Sequence, residues 1–217
     1  MYLKNPNPIR PCQGDIYSNV EYYIPYKVNN DEEGGEYPEL ESIQYNYCVI
    51  LSQECDLEQD YKVRTCEKII SHDKLLPSII IAPAYLAEQL RSGDHLQSLE
   101  YKMDKINRER WSVIIKNKND RYHYLEKDLD LNIPEMVIDF KHIITIPTEF
   151  FYKNIQPKMY TASLPYLYRE FLSQRYCNFL SRIGIPESET EIRNHFEVFL
   201  SKNTSVKEPL PHNIIDN

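Results

Sequence analysis

The stretch from Val49 to Asp60 reads VILSQECDLEQD, and its character changes at Ser52. Its three aliphatic residues follow the aromatic-rich sequence YNYC, and a continuous apolar run of this kind is typical of a strand buried on both faces. A hydroxyl, an amide, a thiol and two carboxylates then follow within residues 52–56. The stretch therefore predicts a central strand whose end is either a functional site or a polar turn.

Four further strands are predicted around this one. Alternating or apolar runs place the five strands at residues 15–24, 45–51, 78–82, 122–125 and 137–146. Pro83 and Pro147 are expected to end the strands that precede them, since proline cannot donate to a ladder. The acidic stretch 29–42, with a Gly pair and a proline, is predicted to be a loop. Helical spacing of apolar residues indicates an insertion of two or more helices over about residues 84–118, interrupted at Gly93.

The C-terminal part of the chain is predicted to be helical. Leu167, Phe171 and Leu180 belong to an apolar stripe at spacings of three, four and seven, and we expect this stripe to pack on the sheet. A second helix is predicted to open at Ser188, because Glu191 completes a capping-box pattern with it.

Several short motifs together resemble the MazF/PemK toxin family. They are GDI at the start of the first strand, VILS in the second, IIIAP in the third and VIDFKHIITI in the last. The resemblance covers about residues 13–150 and implies the SH3-like β-barrel of that family. Many of its members cleave RNA, so the resemblance also implies a toxin–antitoxin or phage-defence protein.

Two positions depart from the pattern of that family. An arginine commonly precedes the strand that corresponds to VILS, whereas residues 44–48 here read QYNYC. The family also tends to carry a Thr or Ser shortly after the Ala-Pro pair, where this chain has Ala84 and Tyr85. We therefore expect the barrel without the usual nuclease residues.

The predicted fold class is mainly β with α. An SH3-like β-barrel spans residues 13–150 and contains the helical insertion of about residues 84–118. C-terminal helices occupy residues 160–202, and residues 1–12 and 203–217 are predicted to be tails. Short strands joined by long loops favour this architecture over a doubly wound sheet.

The polar turn after the central strand is the first candidate site. In one interpretation Cys55 is a nucleophile or redox thiol, and Asp56 orients a histidine base. In a second interpretation Ser52, Gln53 and Glu54, together with Arg64, take part in binding a ligand, since polar residues at strand ends often form sites. In a third, Ser52 and Asp56 only cap a turn through backbone hydrogen bonds.

A second candidate site would serve RNA cleavage. Arg64, Arg121 and His123 could supply the cations and the base that such a reaction needs. Strand alternation places Arg121 and His123 on one face of their strand, with Tyr122 and Tyr124 on the other. A surface strand explains the same pattern.

No metal or cofactor is expected. Cys48, Cys55, Cys66 and His72 are of ligand type and fall within 25 residues, but no pair has the close spacing that seats two ligands on one turn. The five cysteines are odd in number and irregularly spaced, which does not indicate a disulfide framework.

Composition limits the functions that fit. The net charge of -8 disfavours RNA as a partner, because nucleic-acid affinity depends largely on Lys and Arg side chains that neutralise phosphates. No apolar run approaches the roughly 20 residues of a membrane helix. The N-terminal sequence lacks the apolar segment of a secretory signal. We expect a cytoplasmic protein without membrane contact, and the sequence leaves its oligomeric state open.

Three functions remain open at this point. The first is a binding or regulatory module of a prokaryotic or mobile-element system, which holds a partner protein near residues 52–56. The second is a MazF-like endoribonuclease toxin with a rearranged active site. The third is a thiol-dependent enzyme that uses Cys55.

Overall fold

The residues that the structure describes contain seven strands and five α-helices. The structure is a computed structural model, and it describes residues 2–4, 9–30, 36–68, 71–155 and 157–182, with the backbone alone at 25–30 and 36–40. In chain order the elements are β1 (Asp15–Asn30), β2 (Glu36–Ile50), α1 (Glu54–Arg64), β3 (Ser78–Leu86), α2 (Ala87–Ser92), α3 (Arg108–Ile114), β4 (Tyr122–Leu125), β5 (Met136–Asp139), β6 (Ile144–Pro147), α4 (Thr148–Asn154), β7 (Tyr160–Ser163) and α5 (Tyr166–Leu180).

The strands form one open antiparallel sheet. Its order is β4-β5-β3-β2-β1-β7, and β6 also pairs with β3. Ile81 of β3 pairs with Ile144 of β6, and Ala84 pairs with Ile138 of β5. β5 and β6 therefore follow one another along the same edge of β3. The protein is of mixed α/β class, and the described sheet is open rather than closed into a barrel.

The observed elements correct several predicted boundaries. The stretch 137–146, predicted as one strand, contains two strands with a break between them. The acidic stretch 29–42, predicted as a loop, is strand where it is described, since β1 runs to Asn30 and β2 begins at Glu36. The polar residues after the central strand form α1, a helix that the sequence analysis does not predict. The strand at 122–125 is confirmed.

Backbone hydrogen bonds show which edge of β3 each residue faces. The Leu51 N–H donates to the Ile80 carbonyl at 2.9 Å on the β2 side, and the Ala87 N–H donates to the Glu135 carbonyl at 3.0 Å on the β5 side. Backbone groups of consecutive strand residues point to opposite edges. Even-numbered residues of β3 therefore face β2, and odd-numbered residues face β5 and β6.

Pro83 lies inside β3, although the sequence analysis expects that strand to end there. As an odd-numbered residue it faces β5 and β6, and proline has no N–H to donate to a ladder. The neighbouring strand is interrupted at this point, because β5 ends at Asp139 and β6 begins at Ile144. Pro83 thus interrupts the strand beside it rather than its own strand, as expected of a proline opposite a bulge.

Apolar side chains pack on both faces of the sheet. On one face, Leu172 and Phe179 of α5 join the core. On the other face, Leu57 of α1 and Phe151 of α4 join a second core. The helical insertion forms a third core, in which α2 and α3 pack against β4 and β5. The insertion therefore has its own apolar support at one end of the sheet.

β1 changes faces at Asn19. Strand alternation would place Ile16 and Val20 on the same face, yet Ile16 belongs to the core beneath α5 and Val20 to the core on the opposite face. The backbone φ of Asn19 is 57°, in the left-handed region that asparagine tolerates better than most residues. Within the described strands, β2 pairs with β3 through residues 48–50, so the part of the hairpin before residue 48 runs apart from β3.

The apolar stripe predicted on α5 does not face the sheet. Leu167, Phe171 and Leu180 are 76%, 42% and 62% exposed, whereas Leu172 and Phe179 are 1% and 9% exposed. The prediction that this helix packs through the first three residues is therefore wrong. The buried face is rotated around the helix axis relative to the predicted one.

Arg175 fixes this rotation of α5. Its guanidinium donates to the backbone carbonyl oxygens of Asn117, of Asn119 at 2.5 Å and of Tyr122 at 2.8 Å. Three acceptors satisfy most of the donors of one arginine. The helix is therefore clamped to the turn before β4 by a polar contact as well as by its apolar face.

Phe179→Ala should destabilise the protein by about 3–5 kcal/mol, the range for a buried aromatic side chain. Phe171→Ala is the matched control and should cost less than half as much, because 42% of Phe171 is already exposed. Urea unfolding measures both variants. Equal losses would contradict the observed orientation of α5.

Some predicted elements lie outside the described residues. They are the second C-terminal helix from Ser188 and the tail at 203–217. Among the helices that are described, none has the length and apolar character needed to cross a membrane.

Candidate functional site

The polar turn after the central strand begins with a structural contact. Ser52 Oγ accepts a hydrogen bond from the Ile80 N–H at 2.8 Å, so the hydroxyl continues the pairing of β2 with β3. Gln53, Cys55 and Asp56 are exposed at the start of α1. The Cys55 thiol lies 3.8 Å from Gln53 Oε1 and 3.6 Å from Asp56 Oδ1. Neither contact supplies the cation or base that a nucleophilic thiol needs.

Glu54 makes this turn a junction between distant parts of the chain. Its carboxylate accepts hydrogen bonds from Arg10 at 2.5 Å, from the Gln13 N–H at 2.8 Å and from Arg169 at 3.2 Å. The first two groups belong to the N-terminal segment and the third to α5. The carboxylate is therefore engaged in holding the fold and is not presented to a ligand.

Asp15 is a buried carboxyl close to this junction. Its Oδ2 accepts from the Cys12 N–H at 2.8 Å, and its Oδ1 accepts from the Ser163 hydroxyl. Asp15 is 1% exposed. Burial raises the pKa of Asp15 from 3.8 to about 6, although both hydrogen bonds act in the opposite direction. No pattern in the sequence marks Asp15 as a buried carboxyl.

Asp15→Asn should flatten the pH dependence of stability. The folded-state pKa of about 6 exceeds the ordinary pKa of 3.8. The protonated carboxyl therefore stabilises the fold fully below about pH 4, and this stabilisation is lost as the pH rises through about 6. Each pKa unit corresponds to about 1.4 kcal/mol. The free energy of unfolding of the wild type, relative to that of the variant, should therefore fall by about 3 kcal/mol between about pH 4 and pH 7.

Urea unfolding of the wild type and of Asp15→Asn across this pH range checks the prediction. A difference between the two proteins that stays constant with pH would show that burial does not perturb the Asp15 carboxyl.

Arg64, a predicted binding residue, has its guanidinium engaged inside the fold. Its Nε donates to both carboxylate oxygens of the buried Asp60, at 2.8 and 3.0 Å, and its Nη2 donates to the Leu76 carbonyl at 3.3 Å. The Leu76 N–H donates to the same carboxylate at 2.8 Å. The pair of Arg64 and Asp60 therefore fastens the chain that leads into β3.

Arg121 and His123, the predicted catalytic pair, do not form a site together. Arg121 donates two hydrogen bonds to Asp139, at 2.8 and 2.5 Å. His123 is 2% exposed, and its ring centroid lies 6.2 Å from that of Phe140 and 5.8 Å from that of Phe171. Burial lowers the pKa of His123 to about 3. His123 is therefore neutral and shielded from substrate at neutral pH.

A cleft opens where β2 and β3 separate. Their last pair joins Cys48 to Pro83. Continued pairing would join Tyr47 to Ala84, but within the described strands Tyr47 pairs only with β1 and Ala84 only with β5. Because even-numbered residues of β3 face β2, the backbone groups of Ala84 and Leu86 point into this cleft.

A pocket of about 210 Å³ lies in the cleft. Tyr45 on β2, Tyr85 on β3 and His95 after α2 contribute to its walls. Its other polar lining residues are Gln44, Asn46, Gln89, Asp94, Gln97 and Ser98. Of the described residues that line it, none is a lysine or an arginine. The pocket therefore offers hydrogen-bond acceptors and aromatic rings without a fixed positive charge.

His95 is the buried polar group of this pocket. It is 5% exposed, and neither ring nitrogen has a hydrogen-bond partner among the described residues. Its Nε2 lies 3.6 Å from Oδ2 of Asp139, just beyond hydrogen-bond distance. Burial raises the pKa of Asp139, but the hydrogen bonds and charge of Arg121 outweigh this effect and lower it to about 2. The ionised carboxylate favours a proton on Nε2, and Nδ1, on the other side of the ring, has no hydrogen-bond partner among the described residues.

His142 connects the two tyrosines of the pocket. Its Nδ1 is hydrogen-bonded to the Tyr85 hydroxyl, and its Nε2 lies 3.3 Å from the Tyr45 hydroxyl. Burial lowers the pKa of His142, so the ring is neutral at neutral pH. One tyrosine therefore donates to the bare nitrogen and the other accepts from the ring N–H. This bridge fixes one ring on β2 against one ring on β3.

Gly93 holds the segment that carries His95. Its φ is 85°, and a Cβ at this position would lie 2.4 Å from the Met103 carbonyl oxygen. The Met103 N–H in turn donates to the Gly93 carbonyl at 3.3 Å. Glycine alone suits both the left-handed backbone and the close approach. The predicted break in the helical insertion at Gly93 is therefore confirmed, and it comes from the turn that ends α2.

A larger cavity of about 850 Å³ adjoins the pocket. The two share Asn46 and Tyr47 of β2, and Leu86 of β3 lines the larger one. Its charged lining residues are three acids and one base: Glu88, Asp128, Glu135 and Lys127. The cleft is therefore acidic along its length.

Comparisons with known proteins add no relative to these observations. No protein-family model matches the sequence, and no curated protein matches it. Within the described part of the chain, no three His, Cys, Asp or Glu side chains are grouped so as to hold a metal ion. The functional assignment therefore depends on the geometry and charge of the cleft.

Sequence patterns do not single out the residues of the pocket. Tyr45 fits an ordinary strand residue, Tyr85 falls in the predicted helical insertion, and His95 belongs to no motif. His142 lies within VIDFKHIITI, which predicts only a strand. One signal for the site was present in the sequence. Pro83 follows an apolar strand, and a proline within a sheet marks an edge or a bulge.

Proposed function

We propose that the protein is a binding module that holds an extended segment of a partner protein in the cleft between β2 and β3. The observation that carries this proposal is the pair of unpaired strand edges, at Tyr47 on β2 and at Ala84 and Leu86 on β3. Main-chain hydrogen bonds to such an edge provide affinity in many peptide complexes. The proposed site lies at the other end of the β2–β3 pairing from residues 52–56.

The charge of the cleft indicates which segments fit. Asp94 at the pocket and three further carboxylates at the larger cavity outnumber Lys127. Carboxylates attract lysine and arginine side chains and repel acidic segments and phosphates. We therefore propose a positively charged segment as the ligand, which also disfavours RNA in this cleft.

Selection of a phage-displayed library of short peptides on the full-length protein tests this function. We expect basic peptides to be enriched. NMR amide exchange then locates the contact: the Ala84 and Leu86 amides should exchange rapidly in the free protein and slow by about tenfold or more when a selected peptide binds. The Tyr85 amide, which faces β5, is the internal control and should be slow in both states.

Leu86→Pro removes one donor from the cleft without straining the backbone. The φ of -57° and ψ of 136° at Leu86 suit proline. One hydrogen bond contributes about 0.5–1.5 kcal/mol, so a selected peptide should bind about 2- to 10-fold more weakly. Leu86→Ala keeps the N–H and is the matched control. Equal affinities of the two variants, or amide protection outside the cleft, would contradict strand addition.

The endoribonuclease alternative has less support, because Arg121 is paired with Asp139 and His123 is buried. Single-stranded RNA incubated with the protein across a salt series should be neither cleaved nor bound with the steep salt dependence of phosphate contacts. Cleavage that disappears in Arg121→Ala, with folding checked by circular dichroism, would restore the nuclease interpretation.

We also propose, on the resemblance to the MazF/PemK family, that the sheet is of the SH3-like barrel class. On the same ground we propose a prokaryotic or mobile-element system, and the irregularly spaced cysteines lead us to propose the cytoplasm as its location. The short strands that share β3 are compatible with this class. The thiol-dependent enzyme has the least support, because the contacts of the Cys55 thiol are with an amide and a carboxylate, and neither of them stabilises a thiolate.

A further inference from the structure

We infer that the pocket walled by Tyr45, Tyr85 and His95 accepts one arginine side chain of the bound segment. The inference rests on the proposed function and adds the residue that gives the segment its specificity. Four properties of the pocket carry it: position, charge, hydrogen-bond acceptors and aromatic walls. Addition of a strand to the sheet requires only a suitable position, so the other three properties call for a separate explanation.

The pocket opens where an added strand would run. β2 lines it with residues 44–47, and β3 lines it with residues 83–85. Alternate side chains of an extended segment point to opposite faces, so every second side chain of a strand laid along this edge points to the face that holds the pocket. A cavity of about 210 Å³ accommodates one large side chain rather than a folded element.

The charge of the pocket selects a cation. Asp94 is exposed at its rim, and its described lining contains no lysine or arginine. The neighbouring Arg121 is paired with Asp139 at 2.5 Å, so its charge is neutralised inside the fold. A cationic side chain entering the pocket therefore meets a carboxylate without meeting a like charge.

The acceptors of the pocket suit a guanidinium better than an ammonium group. Gln44, Gln89 and Gln97 line the pocket together with Asp94, and an amide side chain can turn its oxygen towards a guanidinium, which presents five N–H donors in one plane. His95 adds a buried ring whose nitrogens have no described partner, and a buried polar group of this kind calls for one. Lysine, as a compact point charge with three donors, would engage fewer of these groups at once.

The aromatic walls favour the same side chain. Tyr45 and Tyr85 are 5% and 8% exposed, and His142 holds both through their hydroxyl groups. Guanidinium groups stack on aromatic rings and are less strongly hydrated than ammonium groups. Rings already held in place lose little conformational freedom when an arginine packs against them.

Exchange of arginine for citrulline in a selected basic peptide tests the inference. Citrulline keeps the length and the planar end group of arginine but carries no charge. At one position of the peptide, this exchange should weaken binding to the wild type by about tenfold or more. The Asp94→Asn variant should bind the arginine peptide and the citrulline peptide with much more similar affinities. Glu88→Gln, at the larger cavity, is the matched control. It should prefer the arginine peptide over the citrulline peptide as strongly as the wild type does.

The outcomes separate the inference from the proposed function. Peptides that protect the Ala84 and Leu86 amides but tolerate citrulline at every position would overturn the arginine pocket and leave strand addition supported. Lysine that replaces arginine at that position without loss of affinity would also overturn it. If no peptide is selected, the proposed function fails. In that case N-acetyl-arginine methylamide, titrated while the His95 imidazole nitrogens are followed by NMR, decides the pocket alone: shifts support it and unchanged signals overturn it.

Discussion

The missing backbone N–H of Pro83 is the constraint on which the arrangement of the cleft depends. It removes a donor from the edge of β3 that faces β5 and β6, so the neighbouring strand breaks at this level. Asp139 ends the strand before the break, and His142 lies within the break. Asp139 lies beside His95, and His142 links Tyr45 to Tyr85. The polar groups that organise the pocket therefore come from a single interruption of the sheet.

Ion pairs inside the fold explain how the cleft stays acidic although the chain has 25 lysines and arginines. The internal pairs join Arg10 and Arg169 to Glu54, Arg64 to Asp60, and Arg121 to Asp139. A carboxylate that is buried costs several kcal/mol unless a partner compensates it. These arginines meet that requirement, so their charges are not available to attract phosphates. Carboxylates at the cleft, by contrast, remain largely solvated and can attract a basic ligand.

Sequence patterning predicted the elements whose signals are local. The central strand and β4 were predicted from apolar or alternating runs. Helix α1 was not predicted, because Leu57 and Asp60 are its buried residues and they do not make an apolar stripe. The existence of α5 was predicted, but its buried face was not. That face depends on Arg175 reaching a carbonyl 53 residues away in the sequence. The pocket depends on four residues brought together by tertiary structure, and no spacing in the sequence identifies such a group.

The junction at Glu54 also governs when the fold can be completed. Arg10 lies 44 residues before Glu54, and Arg169 lies 115 residues after it. Contacts over such separations require closing long loops, which costs chain entropy before any contact forms. β7, the strand that pairs with the beginning of β1, also comes from the late part of the chain. On the ribosome, the segment around Arg10 and Gln13 therefore remains incompletely fastened, exposed to chaperones and proteases, until α5 has been synthesised.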